Sequence, residues 1–508
     1  MKNRLAPINQ LPPEVLTLIS DSWKTRDKVQ GAISLTHVCQ AWRVVFISHS
    51  PLWANFDCVD ADKTRVYLER SKSSPINLRI AGKGDLAPHD PLLQVIPHAT
   101  GRLKSLAVFA TPERVNHITT LLSRPAPHLE YLLIDNTDAF DSTPNPILPT
   151  TLFNGDLSSL HRLHLECVHT QLPWKNMANL TSFALRYYTP PGDISTRQLL
   201  DFLENAPRLE SVDLRSATST SGVQDDRLVS LAYLKWIKIV GCDPCSFLLD
   251  HLLIPVGAGL EIYVDSFGPR HLPRRLNNLM NLSGSTNITL SFDSTHTETR
   301  FTGPNGQLSV TSESIGVNPT PQVLDYLVRV DTTMTEQLEI SRGNPQSRDQ
   351  PYQALFNMKN LRTLKLSRCQ SPHLFLRALH PNQSSSETVV CPKLEELVLV
   401  LRTNSETFNI KDLIKMAAAR ALGGAKLRVV RIIVRQGELA PDDVLELRKH
   451  ILDLEYVPGV DTVDNSDAIM DDSDDIDDSE DSGDSDNSSD SGGSDYDGSG
   501  YDSSDYGW

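Results

Sequence analysis

The chain has 508 residues, 39% hydrophobic and 22% charged, so it is globular in class and long enough for roughly three domains. Its formal net charge of −16 is unevenly spread: residues 461–508 hold 17 Asp, one Glu and no Lys or Arg, which puts −18 on the tail and leaves residues 1–460 at +2. The opening MKNRLAPINQ lacks the apolar core of a secretory signal, no uncharged run approaches a membrane span, and seven scattered cysteines suit a reducing compartment. These features predict an intracellular protein of cytoplasm or nucleus, with no membrane partner and no direct nucleic-acid partner.

The first predicted element lies in NQLPPEVLTLI, residues 9–19. Pro12 and Pro13 preset φ for a first helical turn that leaves their missing amides unneeded, and Glu14 suits its positive end. Val15, Leu16 and Ile19 fall on one face, with Leu11 just ahead to brace them. After the charged connector SDSWKTRDK comes AISLTHVCQAWRVVFISHSPLW, where Leu35, Val38, Trp42 and Val45 recur at helical spacing and Pro51 stops the helix. A unit of about fifty residues is near the lower limit for an autonomous core, so it gains from docking on another protein.

The order LPPEVLTLI, LTHVCQAWR, SPLW resembles the F-box family over residues 8–56, and DADKTRVYLERSKSSPINLRI looks like the continuation found in fungal F-box-like proteins. The charged stretch 20–30 is longer than the family's usual turn. The resemblance implies a unit that docks on the Skp-type adaptor, and through it a cullin, of a ubiquitin ligase, while a repeat domain behind it holds a protein substrate. Carried over position by position, the adaptor-facing residues would be Leu11, Pro12, Pro13, Val15, Leu16, Ile19, Val38, Cys39, Trp42, Arg43, Leu52 and Trp53.

Further along, the pattern L-x-x-L-x-L, with other apolar residues tolerated, starts at 103, 129, 160, 180, 209, 234, 361, 394 and 427. Three copies share the lead-ins APHLE, APRLE and CPKLE. The last four residues of each copy alternate like a half-buried strand, and ERVNHITTLLS, RQLLDFLENA, CSFLLDHLL, PHLFLRAL and KDLIKMAAARAL between them have helical spacing. Strand then helix, repeated, predicts an α/β chain whose parallel sheet is lined on one side by helices, each unit stable only against its neighbours. The pattern looks like an irregular leucine-rich-repeat solenoid. Between residues 260 and 330 the register is lost, although NITLSFD at 287 and QLSVTSES at 307 still alternate and TEQLEI at 335 resembles a decayed copy.

The predicted organisation is a helical F-box-like domain at 1–60, a connecting segment at 61–100, the solenoid at 101–458 and a disordered Asp/Ser/Gly tail at 459–508. Side chains between and just after the buried repeat positions would face a target: His164, Arg186, Asp213, Arg215, Lys238, Lys365, Ser367 and Arg431. CDPC at 242–245 has metal or redox spacing, but Cys242 and Cys369 each fall three residues after the last apolar residue of a copy, a structural place in such repeats. His161, His164, Cys167 and His169 have ligand chemistry at spacing too loose to converge. No Walker loop, G-x-S-x-G, H-E-x-x-H or dinucleotide fingerprint is present, so no catalytic residue, metal or cofactor is expected. A competing expectation is a scaffold or acidic-tail chaperone that handles basic proteins such as histones without any ligase.

Overall fold

The computed structural model describes residues 11–21, 28–58, 60–82, 96–136, 145–170, 176–187, 194–217, 227–241, 245–264, 278–282, 284–313, 318–381, 389–401, 408–434 and 438–458, and all structural statements concern these. The chain divides into Met1–Val460 and Asp461–Trp508. The second unit, with the acidic tail, and Cys242 lie outside the described residues.

Three short helices come first: α1 (Pro13–Asp21), α2 (Lys28–Thr36) and α3 (Gln40–Ser48). The segment expected to connect the domains holds ordered elements, α4 (Ala61–Ser71) and β2 (Ile76–Gly82), and β2 pairs with β1 (Asn55–Asp57). Asp60 starts α4 by accepting the amides of Asp62 and Lys63.

The next series runs β3 (Leu103–Ala110), α5 (Pro112–Leu121), β4 (Tyr131–Asn136), β5 (Arg162–Glu166) and β6 (Ser182–Arg186). It continues through α6 (Thr196–Glu204), β7 (Ser211–Arg215), β8 (Trp236–Val240), α7 (Cys245–Leu249) and β9 (Gly259–Val264). A Ser195–Gln198 capping box opens α6, which buries Leu199, Leu200, Phe202 and Leu203 against the sheet.

After β10 (Asn287–Phe292), β11 (His296–Gly303) and β12 (Gly306–Glu313), strand and helix alternate strictly. The order is α8 (Thr320–Arg329), β13 (Gln337–Ser341), α9 (Asp349–Phe356), β14 (Thr363–Ser367), α10 (Pro372–Leu379) and β15 (Glu396–Leu401). The series ends with α11 (Ile410–Leu422), β16 (Val429–Val434), α12 (Pro441–Arg448) and β17 (Asp453–Pro458).

These strands form one 17-stranded sheet, and all nine copies of L-x-x-L-x-L contribute a strand to it. Chain order equals spatial order from β1 to β9 and from β13 to β17, every pair parallel. Residues 260–330 break the rule in a defined way. β9 pairs with β12 and β10 with β13 in parallel, while β11 lies between β10 and β12 and is antiparallel to both. The weak stretch is therefore a reversed meander of three strands inserted between β9 and β13 without disturbing the parallel run on either side. Its tight turn requires Gly306, whose φ of +134° and approach of an added Cβ to within 2.6 Å of the Ala258 carbonyl admit no other residue without strain.

Two backbone devices keep the strands level. The first Leu of eight of the nine copies closes a turn, as in Leu129 to Ala126, Leu209 to Ala206 and Leu361 to Met358. At the far end a left-handed residue leaves the strand and gives its N–H to a carbonyl at the end of the next strand: Cys167 to Arg186, Ser216 to Val240, Arg342 to Ser367, Arg368 to Val400. The residues after three pairs of neighbouring leading Leu have opposite charge, with Lys104 3.4 Å from Glu130, Lys235 2.6 Å from Glu210 and Arg362 3.8 Å from Glu395.

The core lies between the sheet and the helices, filled by Leu, Ile and Val at alternate strand positions. Arg420 of α11 is fully buried and gives hydrogen bonds of 2.8 Å to the carbonyls of Val390 and Cys391, anchoring the turn before β15. Burial lowers the pKa of its guanidinium.

Candidate docking surfaces

Pro12 supplies the carbonyl that the amides of Val15 and Leu16 need, so α1 starts where the Pro-Pro step predicts. Leu16 then joins Ala32, Trp42, Phe46, Leu52 and Trp53 in a small separate core. Trp42 meets Phe46 edge-on with ring centroids 5.5 Å apart. Trp53 donates its indole N–H to the Phe46 carbonyl at 2.8 Å, stacks on Tyr67 and carries the Arg70 guanidinium 4.3 Å above its ring. Trp53 is thus the joint between the helical unit and α4.

The single helix expected from Ala32 to Ser48 is two helices. The amides of His37 and Val38 fold back on the carbonyls of Ser34 and Leu35, Cys39 is extended at φ −160°, and Arg43 Nε ties the break to the Thr36 carbonyl at 2.9 Å. The break parts Val38, which is exposed, from Trp42 and Phe46, which share the inward face of α3.

Of the residues carried over to face an adaptor, some of which had to be the unit's own core, Leu16, Trp42, Leu52 and Trp53 form that interior and have almost no surface to offer. Leu11 and Cys39 are half-buried against that core, while Pro12, Pro13, Val15, Ile19, Val38 and Arg43 are exposed. Three exposed apolar side chains escaped the sequence reading: Leu18 at 67%, Val44 at 65% and Ile47 at 36%. Their signal was present, since Leu18 follows Val15 by three residues and Ile47 follows Val44 by three. The unit therefore shows apolar side chains on α1 and α3 outside its own core.

The second surface is the sheet face opposite the helices. Registered rows cross it: Ala184, Asp213, Lys238 and Glu261 in one, Glu166, Arg186, Arg215, Val240 and Tyr263 in the next. Arg186 Nε lies 3.0 Å from Asp213, with Glu166 3.8 Å from the same guanidinium. Lys238 sits 3.9 Å from Glu261 and 4.8 Å over the Tyr263 ring. Further on, Lys365 pairs with Glu339 at 2.7 Å, and Arg431 bridges Glu396 at 3.3 Å and Glu455 at 2.7 Å.

The eight residues expected to face a target do not form one site. His164, Arg186, Asp213, Arg215 and Lys238 sit together on β5–β8, Lys365 and Ser367 on β14, and Arg431 two strands beyond. His164 is corrected: it is 7% exposed and holds Glu166 at 2.9 Å, because β3–β5 are buried on both faces, with Ala107 and Leu133 also interior. Arg215 and Ser367 are half-buried.

Asp135, beside Glu166 in register, was not foreseen. Burial and the Glu166 charge push its carboxyl up to about 7, opposed by Arg186. Burial pushes the thiols of Cys369 and Cys391 up to about 12, so neither is a nucleophile near neutrality. Cys369 Sγ instead lies 3.5 Å from the Ile340 carbonyl. Among the described residues no group of three His, Cys, Asp or Glu side chains is arranged to hold a metal ion, and no described helix is long and apolar enough to cross a membrane. No family model matches the chain, and no curated protein matches it in sequence.

Proposed function

We propose that this chain is the substrate-recognition subunit of a Skp-cullin-F-box ubiquitin ligase, in which residues 11–58 are the F-box and the sheet with its helices is a leucine-rich-repeat solenoid. The observation that carries the reading is the exposed apolar set Val15, Leu18, Ile19, Val44 and Ile47 on α1 and α3, outside a small helical core whose sequence order runs LPPEVL, VCQAWR, SPLW. Exposed apolar area of this kind marks a partner site. Full burial of one such aliphatic side chain is worth about 1.5–3 kcal/mol, so a few suffice for a specific complex. The registered charge rows and Tyr263 then meet the target. The chain's own part is to hold and orient; transfer chemistry belongs to its partners.

The test is capture of a Skp-type adaptor by the full chain and by V15D/I19D/I47D. The reading expects capture by the first and none by the second, with circular dichroism unchanged. Absence of adaptor on the parent protein sinks it. Leu16→Ala and Trp42→Ala are poorer probes, since both empty the unit's core.

A further inference from the structure

The two ends of the sheet are finished differently. At the N-terminal end β1 is three residues long and is covered by the helical unit and α4. At the other end β17 is six residues long, and among the described residues no strand pairs beyond it. Asp453 turns its N–H to the Arg428 carbonyl of the preceding repeat, so the alternation of a regular strand turns the N–H and C=O groups of Leu454 and Tyr456 to the outer edge. Exposed apolar side chains flank this edge, Val457 at 39%, Leu452 at 70% and Leu445 of α12 at 58%. The terminal helix and strand, residues 438–458, hold six acidic residues against two basic ones.

We propose that the outer edge of β17 is a strand-addition site that takes an extended, basic segment of a partner protein. An unpaired edge supplies main-chain hydrogen bonds to any extended chain, and the neighbouring side chains choose which one. Asp453, Glu455 and Val457 lie on one face at alternate positions, and Arg431 already holds Glu455 at 2.7 Å, so the complementary segment carries Lys or Arg beside Asp453 and an aliphatic residue beside Val457. A second copy of the chain is a poor occupant, because antiparallel self-pairing about Glu455 would set the carboxylate of Asp453 opposite the aliphatic Val457 and give neither a complementary partner. Pro458 has no N–H and ends the added ladder.

The test uses the full chain and two blocked peptides, one alternating Lys or Arg with Val and one of equal charge interrupted by two prolines. Attraction to the chain's acidic segment is common to both, so the difference isolates strand pairing. The unbroken peptide should bind about tenfold more tightly, which is about 1.4 kcal/mol. It should also slow amide exchange at Leu454 and Tyr456, and D453N should narrow the gap. Equal affinities, unchanged exchange at those two amides, or concentration-dependent protection of β17 without peptide would each overturn the proposal.

Discussion

The helical unit and the sheet body solve the same problem with opposite margins. In the sheet, each strand–helix unit buries its apolar face against neighbours, and on the outer face Arg186, Lys238, Lys365 and Arg431 each meet a carboxylate of the same sheet. In the helical unit, six side chains make the core and nearly as many large aliphatic ones stay outside it. A region that closes on itself is a frame; a region that leaves aliphatic surface in water is built to be completed by something else.

Large deletions should hit both regions and reveal different dependence. Trp53→Ala removes a fully buried ring and its hydrogen bond, and should cost about 3–5 kcal/mol. In so small a unit that loss unfolds the helices while leaving β3–β17 intact, to be seen as selective loss of exchange protection over residues 13–53. Arg420→Ala should cost about 1.5–3 kcal/mol, since it removes a fully buried side chain and its two hydrogen bonds to the carbonyls of Val390 and Cys391, yet it should lower the melting temperature of the whole sheet body. If the two variants melt the same region, the two bodies are one cooperative unit and the contrast fails.

Gly306→Ala probes the reversed meander and should cost about 1–3 kcal/mol from backbone strain, read by denaturant midpoint. Asp135→Asn sharpens the picture of the sheet's double-buried part. With a folded pKa raised to about 7, the native state holds a proton that the unfolded chain releases near the ordinary carboxylate value, so stability contributed by this group falls as pH rises from about 4 to 7 and then levels off. The variant should lack that slope, which at its steepest is about 1.4 kcal/mol for a tenfold change in proton concentration. A parallel pH profile for both proteins rules out Asp135 as the titrating group.

The smallest expected stability effect is the most informative. Leu18→Ser and Val44→Ser should change unfolding free energy by no more than about 0.5 kcal/mol, because these side chains are about two-thirds exposed to water. A larger loss would mean that they pack within the unit and that its exposed set is smaller than drawn.

The strands of the repeat were legible because their signal is local and repeated: LESVDLR and LRTLKLS alternate cleanly, and both became strands buried on alternate residues. LKSLAV and LEYLLI were expected to be half-buried like the rest, yet β3 and β4 are buried on both faces, as the unbroken run Leu132-Leu133-Ile134 could have signalled. The helical unit was harder to read, since apolar spacing tells which side chains share a stripe and not whether the stripe faces in. Val38 and Trp42 shared one in the sequence and were parted by the break at His37–Cys39.

By itself the sequence determined that this is a repeating α/β chain, where nine of its strands lie, where its first helix starts and how unequally its charge is spread, because turn prolines, alternation and charge runs act over a few residues. Only tertiary structure decided that residues 287–313 enter as a reversed meander, that Leu16, Trp42, Leu52 and Trp53 look inward while Leu18, Val44 and Ile47 look out, and that His164 is sealed. Those outcomes depend on which distant strand or helix arrives to cover a side chain, and no neighbour in the sequence carries that information.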